Sequence, residues 1–189
     1  MSSDSTVKAF FNSPQFAVVG ASTNPAKFGH KVFTWYHAHS LPVTPINPAS
    51  ASIETAFGVH ATVKSLADLP DPEHTSLSVI TPAPVTLNVL KEAKKLGIPA
   101  VWLQPGTWDE AVIAFARGSS PSDSGEDDDV DDDEADAAGY RGAVVAGDGG
   151  SGHGGWCVLV DGERGLRAAG KLKGRRDLGQ LVGEVCRLM

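Results

Sequence analysis

The chain has 189 residues, enough for one domain with its own core and with little room for a second. Its formal net charge of -7 is unevenly placed: ten acids and no Lys or Arg fall between Gly118 and Gly139, leaving 13 acids against 16 bases elsewhere. That mildly basic remainder suits a small anionic ligand and is far from the strongly basic surface of a nucleic-acid binder.

In chain order, Val7 to Phe11 predicts a helical turn ahead of the first strand, and Asn12-Ser13-Pro14 ends it. Phe16 to Val19 is a short apolar run that reads as a buried strand. It breaks at Gly20, passes through small and polar residues, and resumes as an apolar helical period from about Phe28 to His39, with Phe28, Val32, Trp35 and Tyr36 on one face. Leu41 to Pro48 predicts a second strand, with proline limiting pairing at both ends. Ala49 to Phe57 reads as a loop or short irregular helix, and Val59 to Val63 as a short strand. Ser65-Leu66-Ala67-Asp68 has the Ser-x-x-Asp pattern of a helix start, soon stopped by Pro70.

Leu77 to Thr81 predicts the next strand, and Pro84 to Leu96 is the clearest helix, with Pro84 in its first turn, Gly97 as its left-handed cap and Val85, Val89, Ala93 and Leu96 along one face. Ile98 to Leu103 is another buried strand, Gln104-Pro105-Gly106 a turn, and Thr107 to Glu110 a capping box opening a helix to about Arg117. Gly118 to Gly139 has almost no apolar content and is expected to be a disordered acidic insertion. Ala143 to Val145 is placed as the cover of a sheet edge, Trp156 to Val160 as the last strand, and Asp177 to Leu188 as an amphipathic helix on the sheet.

Cys157 and Cys186 sit among apolar residues and read as reduced core thiols, without zinc spacing or a disulfide framework. The polar start, Met1 to Lys8, resembles no targeting segment, and no apolar run approaches ~18 residues, so a cytoplasmic protein without a membrane partner is expected.

Strand–helix alternation with short connections predicts a doubly wound, Rossmann-like α/β fold: a parallel sheet in three layers. In that class ligands bind beyond the carboxyl ends of the strands, where strand order reverses. This places Gly20 to Gly29, Asn47 to Ser50, Thr81 to Pro84 and Gln104 to Thr107 on one rim. The first loop lacks the G-x-G-x-x-G pattern, because Ser22 and Pro25 occupy the later glycine positions. The second strand ends in Asn47 where a nicotinamide dinucleotide site uses Asp or Glu. Lys27 and Lys31 flank the start of the first long helix and are either phosphate contacts or solvated residues. Thr81-Pro82-Ala83-Pro84 makes a stiff wall or a rigid helix entry, and Gln104-Pro105-Gly106-Thr107 leads to a further helix N-terminus. His30 reads as a helix-start residue, and no nucleophile–base pair stands out.

Val18-Val19-Gly20-Ala21-Ser22 with Asn24-Pro25 and Lys27-Phe28-Gly29, then Pro45-Ile46-Asn47-Pro48, Val79-Ile80-Thr81-Pro82-Ala83-Pro84 and Trp102-Leu103-Gln104-Pro105-Gly106, together resemble the coenzyme A-binding Rossmann domain also found in the alpha subunit of succinyl-CoA synthetase. The likeness covers about Phe16 to Arg117, resuming at Trp156 to Gly162. It implies a stand-alone domain over residues 1–189, with 118–139 as an insertion, that holds coenzyme A or an acyl-CoA and works as a non-catalytic binding or regulatory module. Gly20, Ala21, Ser22, Thr23, Asn24, Lys27, Phe28 and Gly29 would face the phosphates. Asn47, Pro48, Thr81, Pro82, Ala83, Pro84, Gln104 and Gly106 would complete the rim. In relatives a basic residue often follows the Asn-Pro step; here Ala49 to Ser52 follows. Ser151 to Gly155 resembles the synthetase's phosphohistidine loop around His153, but that loop belongs to a second domain, so a flexible glycine loop is expected. An NAD(P)-linked oxidoreductase on the same fold and a ligase-like subunit needing a partner chain are the alternatives.

Overall fold

The computed structural model describes residues 4–118, 139–148, 150–151 and 154–172. Residues 119–138 of the insertion expected over 118–139, His153, Cys186 and the Asp177 to Leu188 segment lie outside the described residues. Five parallel strands form the sheet: β1 (Gln15–Val19), β2 (Val43–Ile46), β5 (Thr75–Val79), β6 (Ala100–Leu103) and β7 (Ala143–Val145). Their spatial order is β2-β1-β5-β6-β7. β3 (Ser52–Thr55) and β4 (Gly58–Ala61) form a separate antiparallel hairpin.

Side-chain alternation along the strands sorts the core into two layers. Phe16, Val18 and Trp102 point to one face, where α1 (Asp4–Asn12), α2 (Phe28–Ala38) and α5 (Val158–Ala168) cover them. Ala17, Val19, Val101 and Leu103 point to the other, under α3 (Ala83–Lys95) and α4 (Glu110–Arg117). The first layer is rich in rings: Phe10 meets Trp102 edge-on at 5.4 Å, and Phe16 lies 5.2 Å from Tyr36. The Tyr36 hydroxyl bonds Ser78 Oγ at 2.7 Å; burial pushes its pKa well above the ordinary value and outweighs the opposite pull of that bond, so the phenol stays neutral.

Three expectations change. The run Trp156 to Val160 is the entry to helix α5, not a strand. Buried Asp161 sits in the helix's first turn and accepts from Cys157 N at 3.0 Å and Ser151 N at 2.8 Å. Gly162 and Gly165 let α5 lie against α2 and α1, since a methyl group there would come within 2.5 Å of Trp35 and of Val7 and Phe11. The fifth strand is instead Ala143–Val145, which pairs with β6. Second, Ala49 to Phe57 contains a strand, β3: its one fully buried residue, Ile53, reaches the core beside α2, and the turn closes at Gly58 with φ +119°. Third, Asp109 and not Thr107 caps α4, accepting from Val112 N at 2.9 Å, while Thr107 donates its hydroxyl to Gln104 O.

Pro45 lies within β2, not at its end, and is tolerated because β2 is the sheet's outer strand. The helix over Ala83–Lys95, with Gly97 left-handed at φ +66°, and the capping box of the 3-10 turn over Leu66–Asp68 form as expected. Where α4 ends, Gly118 turns left-handed at φ +72°, and Gly139 packs so closely that a methyl on it would lie 2.5 Å from Gly118 Cα. Tyr140 N then bonds Phe115 O at 2.9 Å. No helix among the described residues is long and apolar enough to cross a membrane.

Candidate functional site

From β1 the chain crosses through α2 to β2 on one side; β5 lies on β1's other side, so order reverses between β1 and β5. A cavity of about 640 Å³ opens there, beyond the carboxyl ends of β1, β2 and β5.

Its floor is the loop after β1. Gly20 takes φ +87°, and its N–H bonds Ile46 O at 3.3 Å, tying the loop to β2. Gly29 in α2 lies directly on this loop: a Cβ there would sit 2.1 Å from Gly20 O, so the helix reaches this position only with glycine. Ser22 Oγ accepts from Asn24 N at 3.1 Å, and Asn24 Oδ1 from Ala26 N at 2.9 Å. Buried His30 donates from Nδ1 to Ser22 O at 2.9 Å, since a carbonyl only accepts. His30 is thus a brace for the loop. α2 then begins at Phe28 with no side chain capping it, so its first amides and the positive end of its dipole belong to the cavity, beside Lys27.

Asn47 spends both ends of its amide on the protein. Nδ2 donates to Ala21 O at 2.8 Å and Oδ1 accepts from Ala49 N at 2.8 Å. It fixes the loop to the end of β2, in place of the carboxylate that a nicotinamide dinucleotide site offers to ribose. On the β5 side, Ile80 and Thr81 form the wall, and the Thr81 and Thr86 hydroxyls bond at 2.9 Å.

Of the residues expected to form the site, Gly20, Ala21, Ser22, Lys27, Phe28, Gly29, Asn47, Pro48 and Thr81 share the cavity wall. Thr23 and Asn24 are exposed on the outer part of the loop, and Pro82, Ala83 and Pro84 form the entry to α3 beside the wall. Gln104 and Gly106 lie on the next stretch of rim, after β6. Gln104 is fully buried, accepts from Val158 N at 3.1 Å and so holds the start of α5; among the described residues its Nε2 has no partner. The wall also holds residues that sequence reasoning missed: Lys64, Ser65 and Leu66, and Val85, Val89 and Glu92 on α3. Val85, on the apolar face of α3, is 47% exposed; it and Phe28, 36% exposed, are the half-open apolar surfaces of the cavity. The Val85, Val89, Glu92 spacing of i, i+4, i+7 marks one helix face and is the signal that reveals Glu92.

Residues 14–122 match the family described as CoA binding domain, a stretch that contains every residue of the cavity wall. The chain belongs to this family. Among solved structures it is similar to a hypothetical protein from Pyrococcus horikoshii OT3, with 20% identity, a TM-score of 0.61, and coverage of 87% of this chain and 93% of that one. It is also similar to Prb, the PH1109 protein redesigned for binding, with 18% identity, a TM-score of 0.60, and coverage of 93% and 97%. Both likenesses are of fold. A conserved hypothetical protein from Pyrococcus furiosus is 33% identical over 53% of this chain and 83% of its own, with a TM-score of 0.47. No curated protein matches the chain.

Proposed function

We propose that the cavity at the β1–β5 switch point holds coenzyme A or an acyl-CoA, and that the protein acts as a binding or regulatory module without turning the ligand over. The observation that carries this reading is the wall itself: a helix start with uncapped amides beside Lys27, a second cation in Lys64, and the half-open apolar surfaces of Phe28 and Val85. That set offers charge to phosphates and apolar contact to an adenine or pantetheine arm. The volume falls within the range of cofactor sites. The polar side chains best placed for other work, His30 and Asn47, are engaged in holding the loop. The two engaged ends of the Asn47 amide count against an NAD(P) reading.

Titration calorimetry with CoA, acetyl-CoA, NAD and NADP tests the binding. Saturable heat from the CoA ligands is expected, and heat from the nicotinamide pair alone would overturn the reading. Acetyl-CoA incubated with the protein is expected to release no thiol; catalytic release would replace a binding module with an enzyme.

A further inference from the structure

The end of β2 is where a doubly wound sheet reads the ribose of a bound nucleotide: an acid there takes ribose hydroxyls, and a cation there takes a ribose phosphate. In this chain the residues that directly follow β2, from Asn47 to Ser52, carry no charge. The chain makes its hairpin excursion through β3 and β4 and then returns. On return, Val63 forms a parallel bridge with Ile46: Val63 N donates to Pro45 O at 3.0 Å, and Asn47 N donates to Val63 O at 2.9 Å. The register brings the next residue, Lys64, beside the Asn47–Pro48 step, and Lys64 lines the cavity. We propose that Lys64, delivered by this returning segment, is the specificity residue of the site and pairs with the 3'-phosphate of coenzyme A. The assignment rests on the coenzyme A reading above.

The surroundings fix the turn from which Lys64 projects. Ser65 starts a capped 3-10 turn: its N–H and hydroxyl both donate to Asp68 Oδ2, at 3.0 and 2.8 Å. Those two hydrogen bonds, led by the hydroxyl, hold the Asp68 carboxyl below its ordinary pKa, with a lesser contribution from the charge of Lys64. Glu92, the cavity's own carboxylate, accepts from Ala67 N at 3.3 Å. Both acids are therefore bonded to the turn behind Lys64 and stiffen the stem from which it projects. A phosphate dianion at the β2 edge finds Lys64, while Lys27 stands at the start of α2 for the other phosphates.

Calorimetry of wild type, Lys64→Ala and Lys64→Arg with CoA and 3'-dephospho-CoA tests this. Wild type is expected to bind CoA about tenfold more tightly than dephospho-CoA, the worth of one charge-assisted contact. Lys64→Ala is expected to bring CoA down to the dephospho-CoA affinity and leave the latter unchanged, and Lys64→Arg to retain the preference. Lys64 is exposed, so an unchanged melting temperature is expected for both variants and checks their folding. A Lys64→Ala protein that keeps the tenfold preference, or loses affinity for both ligands alike, overturns the assignment while the coenzyme A reading stands. A wild type that binds neither ligand, yet prefers NADP to NAD, overturns that reading and the 3'-phosphate assignment with it.

Discussion

The two sides of the cavity are built by different means. The β1–α2 side is backbone against backbone: Gly20 against Ile80 and Ile46, Gly29 against Gly20, and a chain of short local bonds through Ser22, Asn24 and His30. On the hairpin side the return at Val63 is bonded to β2 by backbone, but the hairpin itself packs on α2 through side chains. Ile53 alone reaches the core, and outside it His37 of α2 stacks on His60 of β4 with ring centres 4.0 Å apart, with Phe33 edge-on to both and Phe57 stacked on His37. Backbone packing tolerates almost no substitution, whereas side-chain packing can be adjusted in small steps. On the coenzyme A reading, a site made of both would offer a fixed place for the phosphates and an adjustable place for the group that distinguishes one ligand from another.

Four experiments sharpen or break that contrast. The largest effect is expected from Gly29→Ala, whose methyl would enter the Gly20 carbonyl: a loss of about 3 kcal/mol in urea unfolding together with ligand affinity. A near-neutral result would show that the loop yields, and would end the distinction. Asn47→Ala removes the bond that joins the two sides, at a cost of about 1.5 kcal/mol by the same measurement, and weakens binding of every nucleotide equally. Ile53→Val is expected to cost about 1 kcal/mol. By amide exchange it loosens β3 and β4 while the β1–α2 loop keeps its protection; equal loosening of both would make them one unit.

The smallest effect is a pH dependence. Burial, and then the charge of nearby His60, hold the His37 pKa below 6.5, so in the window beneath 6.5 the unfolded chain binds more protons at this residue than the folded one. The His37 contribution is therefore whole above pH 6.5 and lost as pH falls through its folded pKa. Exposed His74 works in the opposite sense, because its hydrogen bond to Asp71 raises its pKa. In a His74→Ala background, melting temperature is expected to fall more steeply below pH 6.5 for the parent than for His60→Gln. Parallel curves would remove the histidine stack from the account of the hairpin.

Most of the parallel sheet was legible because β1 and β6 are apolar runs of ordinary length, though β5 buries Thr75, Ser76 and Ser78 and β7 is only three residues long, and α3 announces both ends with Pro84 and Gly97. The glycine loop was legible for the same reason: a strand that breaks into small residues before a helix leaves few other geometries. The hairpin was not, because β3 buries a single residue and offers no alternation to read. α5 was misread because Val158, Leu159 and Val160 form an apolar run with two β-branched residues, and the helical period becomes visible only when Gly162 and Gly165 are counted as contact positions. Lys64 had no local signal at all. Its place depends on a register formed after a hairpin of which sequence showed one strand only, so chemistry set sixteen residues from Pro48 comes to rest beside it.

Where α4 stops, Gly118 and Gly139 touch, and Tyr140 is already bonded back to Phe115. The fold therefore asks nothing of the length between the two glycines: the path leaves at exposed Gly118 and returns at Gly139, packed against it. Such a point is a port. A chain in which Gly118 is followed directly by Gly139 is expected to melt within a degree or two of the parent, and a small reporter domain spliced between them should leave the sheet intact. Evolution and engineering alike can add cargo there without disturbing the strands on either side.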